Sequence, residues 1–583
     1  MGNSNKGATV KIQDMEKYTS AVTLSDMEVF VYPELMYSLV LANIMSPNIW
    51  RWLQEDTFKK LEGKTPYRKL MRMRQFIMDE YEFNLDIETW GMTSKTDELN
   101  RFAHVIPPED VAKSNALFGY QGDKYYFDVD IRRHFGLDKY DDDAIPYWKT
   151  ETVETMDGFQ YKQGYTKKAG ECVSLSSLYA AAAFIVCGIP LDDIYMVLTP
   201  LHSQNFIDIR EGVITNNRRV ITKPMWFNGT AISMKAQRAM RNENITIVSH
   251  NTGSIHCLYK DATIDPEAYK HLSSRLGQFL AADFNLLIFS NFLRDCGKFQ
   301  KYFQFCHHHR GQEKFINAET LYKYEHSSRF RIADETYEKL LDEVSSEDYS
   351  IYKITSRMCC EQLRAFMEYE NIDLRTTQGQ AKLKEYLKGH ILEIDEFVES
   401  LVNFMFLNPL LPSMDKEFTH VDPIKLDPAW SREEVIEYLQ SIRHTNPTVD
   451  LAFYAYRDME TCDWEPFVRA ALQRNPVSIE RADCLSTDDV CRWLGTMVNE
   501  SVYDGKRLAQ PDEVANFRRA DGVEKAFTLA NIIRNNTPDL EIGITIDREN
   551  VIVKADKEYR FVSSKGLAKT IKVHPNGELD ISG

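Results

Sequence analysis

One cysteine and one histidine in this chain have the types and spacing of a thiol nucleophile and its base. Cys172 follows a Gly-Glu pair and opens the alanine-rich stretch "CVSLSSLYAAAAFIV", and His202 begins "HSQNFIDI". A thiol beside an imidazole is the minimum for nucleophilic catalysis by cysteine, because the imidazole can accept the thiol proton. The two residues therefore predict attack by Cys172 on a carbonyl carbon, with His202 as the general base.

The stretch after Gly170 predicts a helix with Cys172 in its first turn. Gly188 and Pro190 are the stop signals expected just past the end of a helix. Unpaired backbone N–H groups and the helix dipole at the starting end favour a thiolate. We therefore expect Cys172 to react with a thiol alkylator before the other cysteines do. Apolar residues recur at the spacing of a single helix face, and these are Leu175, Leu178, Tyr179, Ala182, Ile185 and Val186.

This arrangement resembles the transglutaminase-like superfamily, whose members share a papain-like core and include transglutaminases, microbial cysteine peptidases and peptide N-glycanases. Residues 170–217 carry the resemblance: Gly-x-Cys opens a helix of small residues, Gly-Ile-Pro ends it, and a strand and the histidine follow. The resemblance implies that Cys172 is the nucleophile, that His202 is the general base and that an Asp or Asn orients the imidazole. Gln204 departs from the pattern, since the family usually has an aromatic residue there.

The residue that orients His202 must come from the returning strand or from a later one. Asp208 is on the same strand as His202 but about 20 Å away, so it cannot contact the ring. A wide turn after the histidine strand brings Asn217 back toward it, at the spacing that the resemblance implies. Asp261, in "KDATID", is the second candidate. Asn216 is excluded if Asn217 faces inward, because neighbours on a strand face opposite ways.

A second stretch, "RRADGVEKAFTLANIIRNN", resembles the start of the same fold without its nucleophile. Asp521-Gly522 aligns with Glu171-Cys172, and an apolar helix and alternating strands follow. One interpretation is a degenerate transglutaminase-like copy near residues 519–565, with no activity of its own. The other is an unrelated α+β cap, because a helix followed by strands is a common order.

Two groups of histidines are candidate metal ligands. "FCHHHR" places Cys306 beside residues 307–309, but adjacent ligands cannot all face one tetrahedral ion, and a solvated helix end is the simpler interpretation. His250 and His256 flank a glycine turn and could face one another across a hairpin. Since no His or Cys set has convincing ligand spacing, we expect no metal and no other cofactor.

Composition restricts the classes of partner and the location. Asp and Glu number 87 against 70 Lys and Arg, a formal net charge of −17, which argues against binding to nucleic acid or to an anionic membrane. The apolar runs are shorter than the ~18 residues that span a bilayer. The first residues lack an apolar signal core, and ten scattered cysteines without a CxxC pair are typical of free thiols. We therefore expect a cytoplasmic protein.

Length and pattern predict an α+β fold with large helical regions and a C-terminal α+β region, and the resemblance implies that its core is transglutaminase-like (papain-like). At 583 residues the chain exceeds what one core usually accommodates. The predicted domains are a helical N-terminal region at 1–95, a transglutaminase-like catalytic domain at 96–265, a helical domain and connector at 266–430, and a C-terminal α+β domain at 431–583, which one interpretation makes a degenerate repeat.

The predicted function is that of a thiol-dependent hydrolase or acyltransferase, a cysteine peptidase or transglutaminase-like enzyme, acting on an amide bond of a protein or peptide. Its site would be Cys172, His202 and Asn217, with the Cys172 backbone N–H as one donor to the developing oxyanion. The alternative is a catalytically inactive transglutaminase-like scaffold or binding protein, because a fold alone does not establish function.

Overall fold

The structure is a computed structural model that describes residues 14–85, 91–119, 125–126, 129–149, 151–309, 312–332 and 336–583. Over these ranges the chain is an α+β protein, and this part of the prediction is confirmed. One large sheet has helices on both faces, and a smaller sheet lies near the C-terminus. Within the same ranges, each helix falls short of the length and apolarity needed to cross a membrane.

A layer of helices and short strands precedes the main sheet. Side-chain caps start several of these helices, as where the Ser25 hydroxyl accepts a hydrogen bond from the Glu28 N–H. The helices are α1 Met15–Thr23, α2 Asp26–Val31, α3 Glu34–Met45, α4 Pro47–Trp52, α5 Asp56–Lys59, α6 Pro66–Glu80, α7 Lys95–Phe102, α8 Pro108–Ser114, α9 Ala116–Gly119, α10 Ile131–His134, α11 Val153–Gly158 and α12 Cys172–Ile185. The strands are β1 Tyr81–Phe83, β2 Met92–Ser94, β3 Tyr125–Tyr126, β4 Val129–Asp130, β5 Ala144–Pro146 and β6 Lys168–Gly170.

Helix α12 begins at Cys172, so the predicted place of the cysteine in the first turn is confirmed. Glu171 caps this turn, and Gly188 has the left-handed φ of +68° that follows many helix ends. The sequence predicted a single apolar face, but every residue from Val173 to Ile185 is buried. The reason is that α12 is covered twice, by β8 of the sheet and by α3.

The main sheet is built from the strands that follow α12. Its members are β7 Ile194–Thr199, β8 His202–Ile207, β9 Val213–Asn216, β10 Arg219–Thr222, β11 Ile247–His250, β12 Gly253–His256, β13 Asp261–Ala262 and β17 Glu417–Phe418. In the described part of the chain they lie in the order β10-β9-β8-β7-β11-β12-β13-β17, antiparallel except for the parallel pair β13–β17. Strands β7 and β8 are the strand before His202 and the strand that His202 begins, as the sequence predicted.

The chain from β10 to the connector is mainly helical, but besides β11, β12 and β13 it holds a small sheet that the helical domain predicted at 266–430 did not include. Its helices are α13 Lys223–Trp226, α14 Ala231–Asn242, α15 Pro266–Phe279, α16 Leu286–Asp295, α17 Ala318–Ser327, α18 Tyr337–Glu343, α19 Cys360–Tyr369, α20 Thr377–Leu387 and α21 Ile394–Met405. Its strands are β14 Phe303–His309, β15 Gln312–Asn317 and β16 Met358–Cys359.

The C-terminal region is helical first and then forms an antiparallel sheet, which is the predicted order. Its helices are α22 Arg432–Ile442, α23 Pro447–Tyr456, α24 Trp464–Gln473, α25 Pro476–Arg481, α26 Thr487–Gly495, α27 Pro511–Phe517 and α28 Gly522–Asn536. Its strands are β18 Ile542–Lys554, β19 Glu558–Val573 and β20 Leu579–Ser582, paired in that order.

Two hydrophobic cores lie on opposite faces of the main sheet. The first joins the N-terminal helices, α12 and the C-terminal region, and it includes Ile207 of β8. The second joins the other sheet face to helices α15 to α21, and it includes Phe206 of β8. Each core therefore combines residues from more than one predicted domain. In the first core, α3 packs on α23 and α1 packs on α24.

Candidate active site

Cys172 and His202 line one cavity of about 510 Å³ at the start of α12. The cavity is walled by the first turns of α2 and α12, the beginning of β8, the turn between β9 and β10, and α14. The two residues that the sequence singled out thus open into one space.

The Cys172 thiol is held by a carboxylate. Its Sγ donates a hydrogen bond to Glu171 Oε2 at 3.2 Å. Burial raises the pKa of the Cys172 thiol well above its ordinary value, and the negative charges of Glu171 and Asp26 raise it further. The backbone N–H of Ser203 acts in the opposite sense, as a hydrogen bond to the thiolate. In this arrangement Cys172 is a thiol at neutral pH.

The expectation of a thiolate at the helix start is therefore wrong for this arrangement, and the cap is the reason. The Glu171 carboxylate accepts hydrogen bonds from the backbone N–H groups of Val173 at 2.8 Å and Ser174 at 2.7 Å. These N–H groups would otherwise stabilise negative charge on sulfur. The Glu171 cap instead occupies these N–H groups. It also places a negative charge beside the thiol, and this charge opposes formation of the thiolate.

His202 is neutral at physiological pH, which is the form that accepts a proton. Burial lowers the pKa of its imidazole to about 4, the positive charge of Arg238 lowers it further, and a hydrogen bond with the Asn216 side chain opposes both. The ring atom Nε2 has no hydrogen-bond partner among the described residues. Arg238 is in turn paired with Glu243 at 3.2 Å.

The structure brings Cys172 and His202 into one cavity but does not join them by a hydrogen bond. Strand alternation puts Ser203 on the face of β8 that packs against α12, together with Ile207. His202 shares the other face with Phe206, which belongs to the second core. The thiol and the imidazole therefore approach the cavity from opposite faces at the beginning of β8.

Asn216, and not Asn217, interacts with the His202 ring. The pairs Phe206–Ile214 and Ile207–Val213 fix the register of β8 and β9, so Asn216 lies on the same sheet face as His202. Asn217 is in the two-residue turn after β9, with a left-handed φ of +50°. It lines the cavity, and its Oδ1 has no hydrogen-bond partner in the described part of the chain.

Asp261, the second candidate for orienting His202, is too far away. It begins β13, which is four strands from β8 in the sheet. At ~4.8 Å between neighbouring strands, the separation is about 19 Å. Asp261 therefore cannot contact the imidazole.

The two histidine groups also differ from the expected arrangements. Cys306 and residues 307–309 lie in strand β14, not at a helix end. His250 and His256 do not face one another, because the register pairs His250 with Gly253 and His256 with Ile247. His250 instead contacts the backbone oxygen of Asp192 and stacks on Tyr195.

A cluster of three acids lies beside Cys172, and the sequence did not indicate it. Asp26, Glu151 and Glu171 each bring a carboxylate oxygen within 4.8 Å of the others. Burial raises the pKa of all three carboxyls, and Glu151 is further affected by the charges of the other two. The three residues are far apart in the sequence, so no spacing pattern could have found them.

The cavity also has basic lining residues, and these are Arg218, Arg219, Lys235 and Arg238. Trp148 also lines the cavity, and its indole N–H has no partner in the described ranges. A ligand in the cavity would therefore meet cationic side chains and a free N–H donor.

The start of α28 contacts its sheet as the start of α12 does. Gly522 opens α28, and a Cβ there would lie 2.4 Å from the backbone oxygen of Val562 in β19. Cys172 opens α12 next to Ser203 in β8. In both places the cap residue is acidic and the contact is with the second strand after the helix. This agrees with a degenerate copy, which stays a prediction.

Comparisons with family models, with curated proteins and with solved structures each found no match to this chain. The resemblance to the transglutaminase-like superfamily thus depends on the residues quoted above, and it stays a prediction.

Proposed function

We propose that the protein is a thiol-dependent acyl hydrolase or acyltransferase that uses Cys172 and His202 on an amide substrate. The observation that carries the proposal is that both side chains open into one cavity, with the thiol at the start of a buried helix. A neutral imidazole and an unpartnered Nε2 support the role of His202 as the base.

In the proposed reaction, His202 takes the thiol proton as Sγ forms a bond to the acyl carbon. The C–N bond then breaks, and the amine leaves with that proton. Water or a second amine attacks the thioester, gives its proton to His202, and restores the Cys172 thiol. Substrate binding must bring the imidazole to the thiol, and catalytic hydrogen bonds often tighten only in the substrate complex.

Two further residues have roles in this proposal. Asn216 replaces Asn217 as the residue that orients the imidazole, because its side chain is the one that interacts with His202. Trp148 supplies the second oxyanion donor, since its unpartnered indole N–H lines the cavity. The first donor is the backbone N–H of Cys172.

A second candidate function is ligand binding in this cavity without catalysis. Two observations favour it: the thiol bonds to Glu171 instead of His202, and nearby acids raise the pKa of the Cys172 thiol. The same cavity would then bind its ligand without a covalent step.

Trapping of the acyl-enzyme distinguishes the two functions. The full chain is incubated with glutamine-containing and activated acyl peptides, with and without a fluorescent primary amine, and is analysed by mass spectrometry. The enzyme proposal expects an acyl adduct on Cys172 and release or transfer of the acyl group. Cys172→Ala should abolish both, and His202→Ala should slow them by at least about 100-fold.

Cys484→Ala is the matched control, because Cys484 is exposed and outside the cavity. Turnover that survives in Cys172→Ala contradicts the enzyme proposal. Peptide binding without any adduct in the wild type supports the binding protein.

A further inference from the structure

Asp26, Glu151 and Glu171 bring three carboxylates together at the start of α12, without a cationic partner among the described residues. Glu151 is 2% exposed and Glu171 is 1% exposed. Asp26 is at the start of α2 and lines the cavity with Glu171. With oxygens within 4.8 Å of one another, the three groups repel each other when they are ionised.

Two oxygens of this cluster are also left without a hydrogen bond. Asp26 Oδ1 and Glu151 Oε1 are buried, and neither has a partner in the described part of the chain. An unpaired buried carboxylate is costly, so buried acids are normally paired, hydrogen-bonded or bound to a metal.

Two other buried acids in this protein follow that rule by pairing with arginine. Glu513 is paired with Arg457 at 2.8 Å. Glu154, which is close in sequence to Glu151, is paired with Arg507 at 2.6 Å. The cluster departs from this pattern, because none of its three carboxylates is paired with a Lys, Arg or His in the part of the chain that the structure describes.

We propose that Asp26, Glu151 and Glu171 bind a divalent cation, each through one carboxylate oxygen, with the remaining coordination positions open to the cavity. Three anionic oxygens suit Mg²⁺, Mn²⁺ or Ca²⁺, which prefer oxygen ligands. The cation offsets the repulsion among the three charges and gives Asp26 Oδ1 and Glu151 Oε1 a partner. The site does not depend on the proposed thiol chemistry.

Direct titration with Mn²⁺ tests the site. The full chain is treated with EDTA, dialysed, and titrated with Mn²⁺ while free Mn²⁺ is followed by electron paramagnetic resonance. We expect one saturable site per chain in the wild type. Glu151→Gln keeps the side-chain shape but removes the charge, and both it and Asp26→Asn should weaken binding at least 10-fold.

Asp142→Asn is the matched control, since Asp142 belongs to an exposed acidic run away from the cavity. It should bind Mn²⁺ as the wild type does. Thermal unfolding provides a second readout that separates lost ligation from misfolding. In EDTA, Glu151→Gln should be at least as stable as the wild type, because it removes a repelling buried charge. With Mn²⁺, the wild type and Asp142→Asn should both gain Tm, and Glu151→Gln should gain less at the same Mn²⁺ concentration.

Two outcomes overturn the proposal. One is a wild-type chain that shows no saturable binding of Mn²⁺, Mg²⁺ or Ca²⁺, which would mean that protons alone neutralise the cluster. The other is unchanged Mn²⁺ binding in Glu151→Gln and Asp26→Asn.

Discussion

The Cys172 thiol donates its hydrogen bond to Glu171 Oε2 at 3.2 Å, and the same carboxylate caps the helix that Cys172 begins. One side chain thus starts α12 and keeps its first residue in the thiol form. The start of a helix normally favours the thiolate of a cysteine, but here the neighbouring Glu171 carboxylate favours the thiol.

Glu171→Gln should therefore make Cys172 more reactive. Removing a negative charge in contact with the thiol lowers the pKa of Cys172, and a decrease of one unit raises the thiolate fraction about 10-fold. We expect alkylation of Cys172 by iodoacetamide at pH 8 to accelerate by about that factor. The weaker cap should cost about 1 kcal/mol of stability.

Timed labelling and mass spectrometry of the Cys172 peptide measure this rate, with the exposed Cys484 as the internal reference. Glu325→Gln removes a buried acid in the other core and should leave the rate unchanged. An unchanged or slower rate in Glu171→Gln would show that its charge does not control the thiol.

Asn216 and Asn217 should have different roles, although they are neighbours. Asn216→Ala should lower turnover by His202, because its side chain interacts with the ring. Asn217 is held at a left-handed φ of +50°, so Asn217→Ala should cost about 1 kcal/mol of stability while Asn217→Gly is tolerated.

Turnover assays and urea unfolding of the three variants check these two roles. Asn217→Gly is the control for Asn216→Ala, because it removes the neighbouring amide without straining the turn. Loss of turnover in Asn217→Gly with full activity in Asn216→Ala would return the orienting role to Asn217.

The sequence predicted those features that depend on local pattern. The helix at Cys172 and the strand at His202 follow from periodicity and from the Gly188 and Pro190 stop signals. The choice between Asn216 and Asn217 was not predictable, since it depends on how residues 208–212 turn between β8 and β9. Hydrophobic spacing carries no information about that turn.

The acid cluster and the packing of residues 431–583 into the first core could not be predicted, because both depend on tertiary contacts. Asp26, Glu151 and Glu171 come from separate elements and meet only through tertiary packing. In the same way, no sequence pattern joins α3 to α23, although these helices pack together and draw residues 431–583 into the first core.

Arg507 should be essential for stability because it ties the C-terminal region to the N-terminal half. Its guanidinium is bonded to Glu154 at 2.6 Å and to the backbone oxygen of Tyr456 at 2.7 Å. Arg507→Ala leaves a buried carboxylate without its cation, which typically costs about 3–5 kcal/mol. Urea unfolding of the full chain measures the loss.

Lys557→Ala is the control, since Lys557 forms an exposed pair with Asp488 and should cost less than about 1 kcal/mol. Equal losses in the two variants would contradict the role of Arg507. The same pairing predicts that a fragment of residues 431–583 does not fold alone and has no activity.

His256 should make the fold sensitive to acid. It is 1% exposed, it packs on Phe30 and Tyr259, and burial lowers the pKa of its imidazole to about 3. The positive charge of Lys416 acts in the same direction. Between pH 6.5 and about 3 the unfolded chain therefore binds a proton at this residue that the folded chain does not.

This difference in proton binding makes the folded protein less stable as the pH falls. Above pH 6.5 both states carry a neutral His256 and its contribution to stability is constant. As the pH falls below 6.5, the contribution decreases by up to about 1.4 kcal/mol for each pH unit. His256→Asn keeps an acceptor for the Leu258 N–H but has no proton to bind.

His256→Asn should therefore be less stable than the wild type at pH 8, by about 2 kcal/mol for the lost packing. The difference in free energy of unfolding between the wild type and His256→Asn should narrow as the pH is lowered from 6.5 to 4.5. Urea unfolding at a series of pH values measures this difference. His420→Asn, at an exposed position, should show a gap that changes little with pH. If the gap for His256→Asn stays constant or widens in acid, a neutral buried His256 is not the cause of the acid sensitivity.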